Sequence, residues 1–314
     1  MFDRLLIPVD GSPESLETAA AAGRLAQRLG ARLVLVCVEG ALTSPARALA
    51  DHHELEQQAA ALRRHGLHVH SIIEFGRSNR ALAAIAEAEG AHLIVVASDR
   101  RSGLDAIWHP HAIAHLLGHT STPLLVWPAS ESGQARQGFL DRAGSLVMVA
   151  LDGSALAEHA LPYAVGLARA YERPLMLVHV VPPMELPGMG PAVRRIEREH
   201  QTRKERDAHS SLGATRHRLA QEYSGLLVQS MILSGEPWRE LVRCAQTHDG
   251  SVLVMSTHGH GEMRRALLGS VSAHLARETP LPLLIVPPDA SLDPAIGAVA
   301  TAHGERVDGG YTAR

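Results

Sequence analysis

The sequence predicts an α/β chain of two tandem doubly wound domains, each built on a five-stranded parallel sheet. Three observations carry this expectation. The chain repeats itself: "LLIPVDGSPESLETAAAAGRLAQRLGARLVLVCV" near residue 5 returns as "LVMVALDGSALAEHALPYAVGLARAYERPLMLVHV" near 146. Within each copy, short runs of Leu, Val and Ile alternate with helical patterns, as expected of parallel strands covered on both faces. The length, 314 residues, suits two domains of ordinary size.

The elements follow in order. "RLLIPV" opens repeat one as a strand, and Asp10-Gly11-Ser12 turns it into a helix, with Ser12 as N-cap and Pro13 at the first helical position. "RLVLVCV", "HLIVVAS" and "PLLVW" supply further strands, and each copy reads β-α-β-α-β-α-β-α-β. In repeat two, Asp152-Gly153-Ser154 matches the first turn, "DGSVLVMST" matches "GAHLIVVAS", and "LPLLIVP" matches "TPLLVWP". The copies differ in length between Val180 and Gly235, where "PPMELPGMGPAVRRIEREHQTRKERD" adds a loop and a longer charged helix. Alternating charge in "RRIEREHQTRKERD" suggests a solvated helix face. The expected domains are 1–128 and 143–288, joined by a small, polar linker over 129–142. A tail over 289–314 loses periodicity and is expected to be mobile.

Composition narrows the function classes. Hydrophobic residues make up 46% and aromatics 3%, so the cores must be aliphatic. A net charge of −3 gives no global field to recruit nucleic acid or an anionic membrane surface. Lys204 is the only lysine, a bias that reads as a coding preference for arginine. Cys37 and Cys244 sit in apolar segments as free thiols of a reducing compartment. No apolar run reaches bilayer length, and "MFDRLLIPVDG" lacks a signal-peptide core, so a cytoplasmic protein is expected.

In a doubly wound sheet, ligands sit beyond the carboxyl ends of the strands, where strand order reverses. Asp152, Gly259 and Gly269-Ser270 would all reach that rim in repeat two. Backbone N–H groups at a helix N-terminus favour anions, Ser270 can add a hydroxyl, and Gly269 leaves room for a phosphate against the main chain. Asp152 is better suited to accept from a base or ribose than to face phosphate. Neither a dinucleotide G-x-G-x-x-G nor a Walker A lysine motif occurs.

These residues carry a resemblance. The two repeats resemble universal stress protein domains in tandem, over about 3–128 and 144–288, nearly all of the chain outside linker and tail. The resemblance implies a Rossmann-like fold of the adenine nucleotide alpha hydrolase type. It also implies a stress-response module that holds ATP, with Mg²⁺ held mainly by the phosphates. The signature of that family's ATP-binding branch is Gly-x2-Gly-x9-Gly-Ser/Thr. Repeat two reads Ser256-x2-Gly259-x9-Gly269-Ser270, matching all but the first glycine. By the same resemblance, Asp152 and Val180 line the adenine side, while Met255, Val271 and Ser272 flank the phosphate loop. Repeat one has Ala97, Arg100, Pro110 and His111 at the four signature positions and is expected not to bind ATP in the usual way, although Arg100 and Arg101 could meet an anion.

Two other readings stay open. One is an interaction protein without nucleotide, with protein partners that the sequence does not name. The other is a slow ATPase or nucleotidyl-transfer enzyme drawing on His258, His260 and Glu262, although no positioned general base is marked. The histidines fit solvated loop positions better than a metal site: only His111 and His115 are spaced to share a helix face, and no His-Glu-x-x-His occurs. In single-domain members of the family two chains commonly pair through their last strands. The tandem chain is therefore expected to form an intramolecular pseudo-dimer with Leu124–Trp127 beside Leu283–Val286, with a homodimer also possible.

Overall fold

The structure, a computed structural model, describes residues 2–39, 45–75, 78–98, 110–128, 145–184, 191–248, 252–257, 269–278 and 281–290. The linker over 129–142, nearly all of the tail, and the loop that holds Gly259 lie outside the described residues. Repeat one runs β1 (Arg4–Pro8), α1 (Pro13–Leu29), β2 (Arg32–Glu39), α2 (Pro45–Arg64), β3 (Val69–Phe75), α3 (Ser78–Ala88), β4 (Leu93–Ser98), α4 (Pro110–Leu117) and β5 (Leu124–Pro128). Repeat two runs β6 (Val147–Ala150), α5 (Ala155–Glu158), α6 (Leu161–Ala170), β7 (Leu175–Val181), α7 (Pro191–Glu222), β8 (Val228–Ser234), α8 (Pro237–Thr247), β9 (Val252–Ser256), α9 (Ser270–Glu278) and β10 (Leu283–Val286).

Side chains alternate across a strand, so a fully buried strand must be apolar at every position. Leu5 and Ile7 of β1 join one core layer and Leu6 the other. Likewise Val147 and Val149 of β6 lie in the first layer and Met148 in the second. The first layer is closed by α1, α2, α5, α6 and α7, the second by α3, α4, α8 and α9. These cores are mainly aliphatic, with Phe2, Trp127 and Tyr163 the buried aromatics of the first layer.

Both first turns are built alike. In repeat one the Ser12 amide and hydroxyl donate to Asp10 Oδ1 at 3.0 and 2.6 Å, and Ser12 Oγ accepts from the Ser15 amide. In repeat two the Ser154 amide and hydroxyl donate to Asp152 Oδ1 at 2.9 and 2.6 Å, and Ser154 Oγ caps the Ala157 amide. The residue between them must turn through positive φ, +76° at Gly11 and +83° at Gly153, which glycine adopts without strain. Beyond the turn the copies diverge. The single helix α1 has two counterparts, α5 and α6, because Pro162 supplies no amide to carry the helix through.

The described strands form one sheet of ten, in the order β3-β2-β1-β4-β5-β10-β9-β6-β7-β8. Every neighbouring pair within a repeat is parallel, while β5 and β10 meet antiparallel, with Leu283 opposite Val126, Leu284 opposite Leu125 and Ile285 opposite Leu124. Each partner in this seam lies in the same core layer as the residue opposite it. The strands "PLLVW" and "PLLIV" thus cover each other's hydrogen-bonding edges, which would otherwise offer apolar templates for aggregation.

A charge at the seam tests how far the repeats depend on each other. Leu125 is buried opposite Leu284, and Leu125→Asp leaves a carboxylate there without a cation. The expected loss is at least about 3 kcal/mol, read by chemical denaturation, with both repeats unfolding at lower denaturant.

Candidate functional site

The carboxyl ends of β6, β7 and β9 open onto one rim, because every strand within a repeat runs the same way. There the chain encloses a cavity of about 740 Å³, within the range of small-molecule sites. Asp152 and Gly153 enter it from the turn after β6, and Val180 from the end of β7. Met255 and Ser256 come from the end of β9, and Gly269, Ser270, Val271 and Ser272 from the start of α9. Eight of the residues singled out by sequence therefore meet in one cavity. The ninth, Gly259, lies outside the described residues, as do His258, His260 and Glu262.

The α9 end of the cavity is held by a tight joint. The Gly269 amide donates to the Thr257 carbonyl at 3.1 Å, and the Ser272 hydroxyl reaches the same carbonyl at 3.3 Å and the Gly269 carbonyl at 3.0 Å. The Ala273 amide donates to the Gly269 carbonyl, which starts the helical ladder. The amides of a first helical turn have no acceptor within the helix, and here that turn borders the cavity. Ser270 is exposed in this turn, whereas Ser272 is buried and serves the joint.

Gly269 sits directly against the residue that follows β9. A Cβ at that position would lie 3.1 Å from the Thr257 carbonyl oxygen, a backbone atom that cannot swing aside. Its lack of a side chain thus relieves a tight approach between the end of β9 and α9, whatever binds beyond them. On the other wall Asp152 Oδ1 is engaged by Ser154, which holds the carboxyl group to its own turn.

Sequence reasoning missed one wall altogether. Lys204, Asp207, Ala208 and Ser211 of α7 line the cavity, so the charged run beginning at Arg194 is more than a solvated face. Ala208, Leu212, Thr215 and Leu219 form the buried stripe that seats α7, and this spacing fixes which neighbouring residues face the rim. The stripe was present in the sequence, just beyond the charged run that drew the reading. His179 and Pro237 complete this side.

Repeat one differs at the same place. A Cβ on Gly11 would lie 2.8 Å from Glu54 Oε2, so the Glu54 carboxylate rests on the first turn. At Gly153 the nearest atom to such a Cβ is His179 Cε1, at 3.9 Å. Of the four altered signature positions, Ala97 ends in β4 and Pro110 and His111 open α4, while Arg100 lies outside the described residues, with Arg101. Among the described residues no three His, Cys, Asp or Glu side chains gather as a metal site, and no helix is long and apolar enough to cross a membrane. Burial raises the Cys244 thiol above its ordinary value, which suits packing rather than nucleophilic chemistry.

The joint gives a stability prediction. Gly269→Val forces α9 away from the Thr257 carbonyl and is expected to cost about 1–3 kcal/mol. Ser270→Ala, on an exposed position, should change stability by less than about 0.5 kcal/mol. Thermal unfolding of the two variants separates the joint from whatever the cavity binds.

Comparison with known proteins agrees with this architecture. The model of the universal stress protein family matches residues 1–128 and 146–287. Universal stress protein MJ0577 of Methanocaldococcus jannaschii is 24% identical over 152 residues, covering 45% of this chain and 93% of that protein. A universal stress protein of Thermus aquaticus is 29% identical over 145 residues, covering 45% of this chain and 96% of that protein. The crystal structure of a universal stress protein from Archaeoglobus fulgidus superposes with a TM-score of 0.66 at 18% identity, over 92% of this chain and 99% of that one. A functionally unknown protein from Pseudomonas aeruginosa gives 0.62 at 18% identity, over 95% of each chain. With one match of the family model on each repeat, together spanning most of the chain, the chain belongs to the universal stress protein family.

Proposed function

We propose that this protein is a stress-response regulatory module that holds ATP in its second repeat, with Mg²⁺ carried by the triphosphate. The observation that carries the reading is the cavity in which Asp152 and Val180 face the first turn of α9. Asp152 and Val180 would take the adenine and ribose side. Ser270 and the amides of Ser270, Val271 and Ser272 would take phosphate, using unsatisfied donors and the helix dipole. Met255 and Ser256 would form the floor between them, and Gly259 would close the phosphate loop. No protein side chain need supply the metal, since magnesium is commonly held by phosphate oxygens and water.

A second reading is an interaction protein that binds no nucleotide. Its support is Ser256, a residue that lines the cavity where the family signature has glycine. Slow hydrolysis would draw on His258, His260 or Glu262. Protein partners, a cytoplasmic location and a homodimer belong to the same proposal.

Equilibrium binding of ATP to the full chain decides between the two main readings. The expected stoichiometry is about one ATP per chain, since one repeat keeps the helix-terminal phosphate site. Mass analysis of nucleotide released from purified protein should identify adenine nucleotide. A chain that binds none, while remaining folded, returns the protein to the interaction class, and product formation would identify an ATPase.

A further inference from the structure

The two repeats differ most where the helix after the second strand meets the rim. Aligning the buried leucines of these helices, Leu55 with Leu212 and Leu62 with Leu219, places Glu54 of α2 on Ser211 of α7. Glu54 lies with its carboxylate against Gly11, whereas Ser211 leaves the corresponding turn open and lines the cavity. The same alignment places Asp51 on Ala208, so repeat one carries two acids where repeat two carries small residues. Four residues before Ala208, one helical turn toward the N-terminus of α7 and aligned with Arg47 of α2, stands Lys204. It is the chain's only lysine, and among the described lining residues it is the one side chain with a fixed positive charge.

We infer that Lys204 of the α7 wall recognises the anionic part of the ligand, that Ser211 keeps the first turn open for the ligand to enter, and that the counterpart turn in repeat one is closed by Glu54. This inference rests on the proposed nucleotide reading of the cavity and adds a recognition element outside the phosphate loop. An ammonium on a flexible stem attracts phosphate as a point charge without demanding one geometry. Ser211 is small enough to leave the turn uncovered and can donate a hydroxyl. A carboxylate at that position adds negative charge to the cavity and fills the space beside the first turn. Asp152 and Asp207 also line the cavity, so Lys204 offsets acidic groups as well as meeting a ligand. Because Lys204 is exposed, its contribution should weaken with salt.

The full chain tests this directly. Calorimetry would compare ATP with adenosine, which has the base and ribose but no charge, on wild type, Lys204→Gln and Ser211→Glu. At low salt Lys204→Gln is expected to weaken ATP by about threefold to tenfold and adenosine by less than about twofold. Ser211→Glu should weaken ATP by about tenfold or more. Lys204→Gln alters an exposed helix position and should keep the fold, so the test stands even if Ser211→Glu does not fold. A second readout uses the single lysine: an N-hydroxysuccinimide ester acylates Lys204, and peptide mass spectrometry follows the rate. ATP should slow that acylation at least about threefold.

If ATP binds while Lys204→Gln behaves as wild type and acylation is not slowed, the inference is overturned. Equal losses for ATP and adenosine also overturn it, since the lysine would then act by packing rather than charge. If wild type binds no ATP, the proposed function fails separately, and acylation is repeated with ADP, AMP and pyrophosphate. Slowing by one of these supports the wall and reassigns its ligand, and slowing by none overturns it.

Discussion

A parallel sheet cannot leave either face to water, because the crossovers that join its strands already cover both. In this protein that constraint governs nearly everything else. It makes strands such as Leu93–Ser98 and Val252–Ser256 buried at every position, and it splits their side chains between two aliphatic layers. It also sends every strand of a repeat in one direction, so the turns that follow them gather on one rim. The cavity in repeat two is a consequence of that shared polarity.

The seam between β5 and β10 is the second consequence. Each repeat ends in a strand that is apolar on both faces and has a partner on only one side within its own half. Pairing the two strands antiparallel satisfies both edges and continues both cores without a break. Antiparallel pairing is the arrangement that places Leu125 and Leu284 in one layer and Val126 and Leu283 in the other. The outer strands β3 and β8 end the sheet, and their partly exposed burial patterns suit strands with one free edge.

The repeats also show how one scaffold yields two different rims. Asp10-Gly11-Ser12 and Asp152-Gly153-Ser154 make nearly superposable hydrogen bonds, so the shared motif by itself distinguishes nothing about binding. The difference lies in what lies over that turn, Glu54 in one case and open space bordered by Ser211 in the other. The aspartate is first a structural residue that fixes the helix start. Any contact it makes with a ligand is added to that task.

The amino-acid sequence by itself determined the duplication, the strand order, the Ser12 cap and which residues the turn after β6, the ends of β7 and β9 and the start of α9 bring to one cavity. These follow from local patterns: apolar runs, a Ser-Pro helix start, and glycines at fixed spacing. Tertiary structure alone decided three things. It set Gly269 against the Thr257 carbonyl, because the spacing of a strand end and the helix after it depends on how both pack on the sheet. It brought Lys204 and Ser211 to the rim, because which face of a long charged helix turns inward depends on how the Ala208–Leu219 stripe seats against β7 and β8. And it laid Glu54 over Gly11, a contact between a turn and a helix that only the packing of α2 on the sheet could specify.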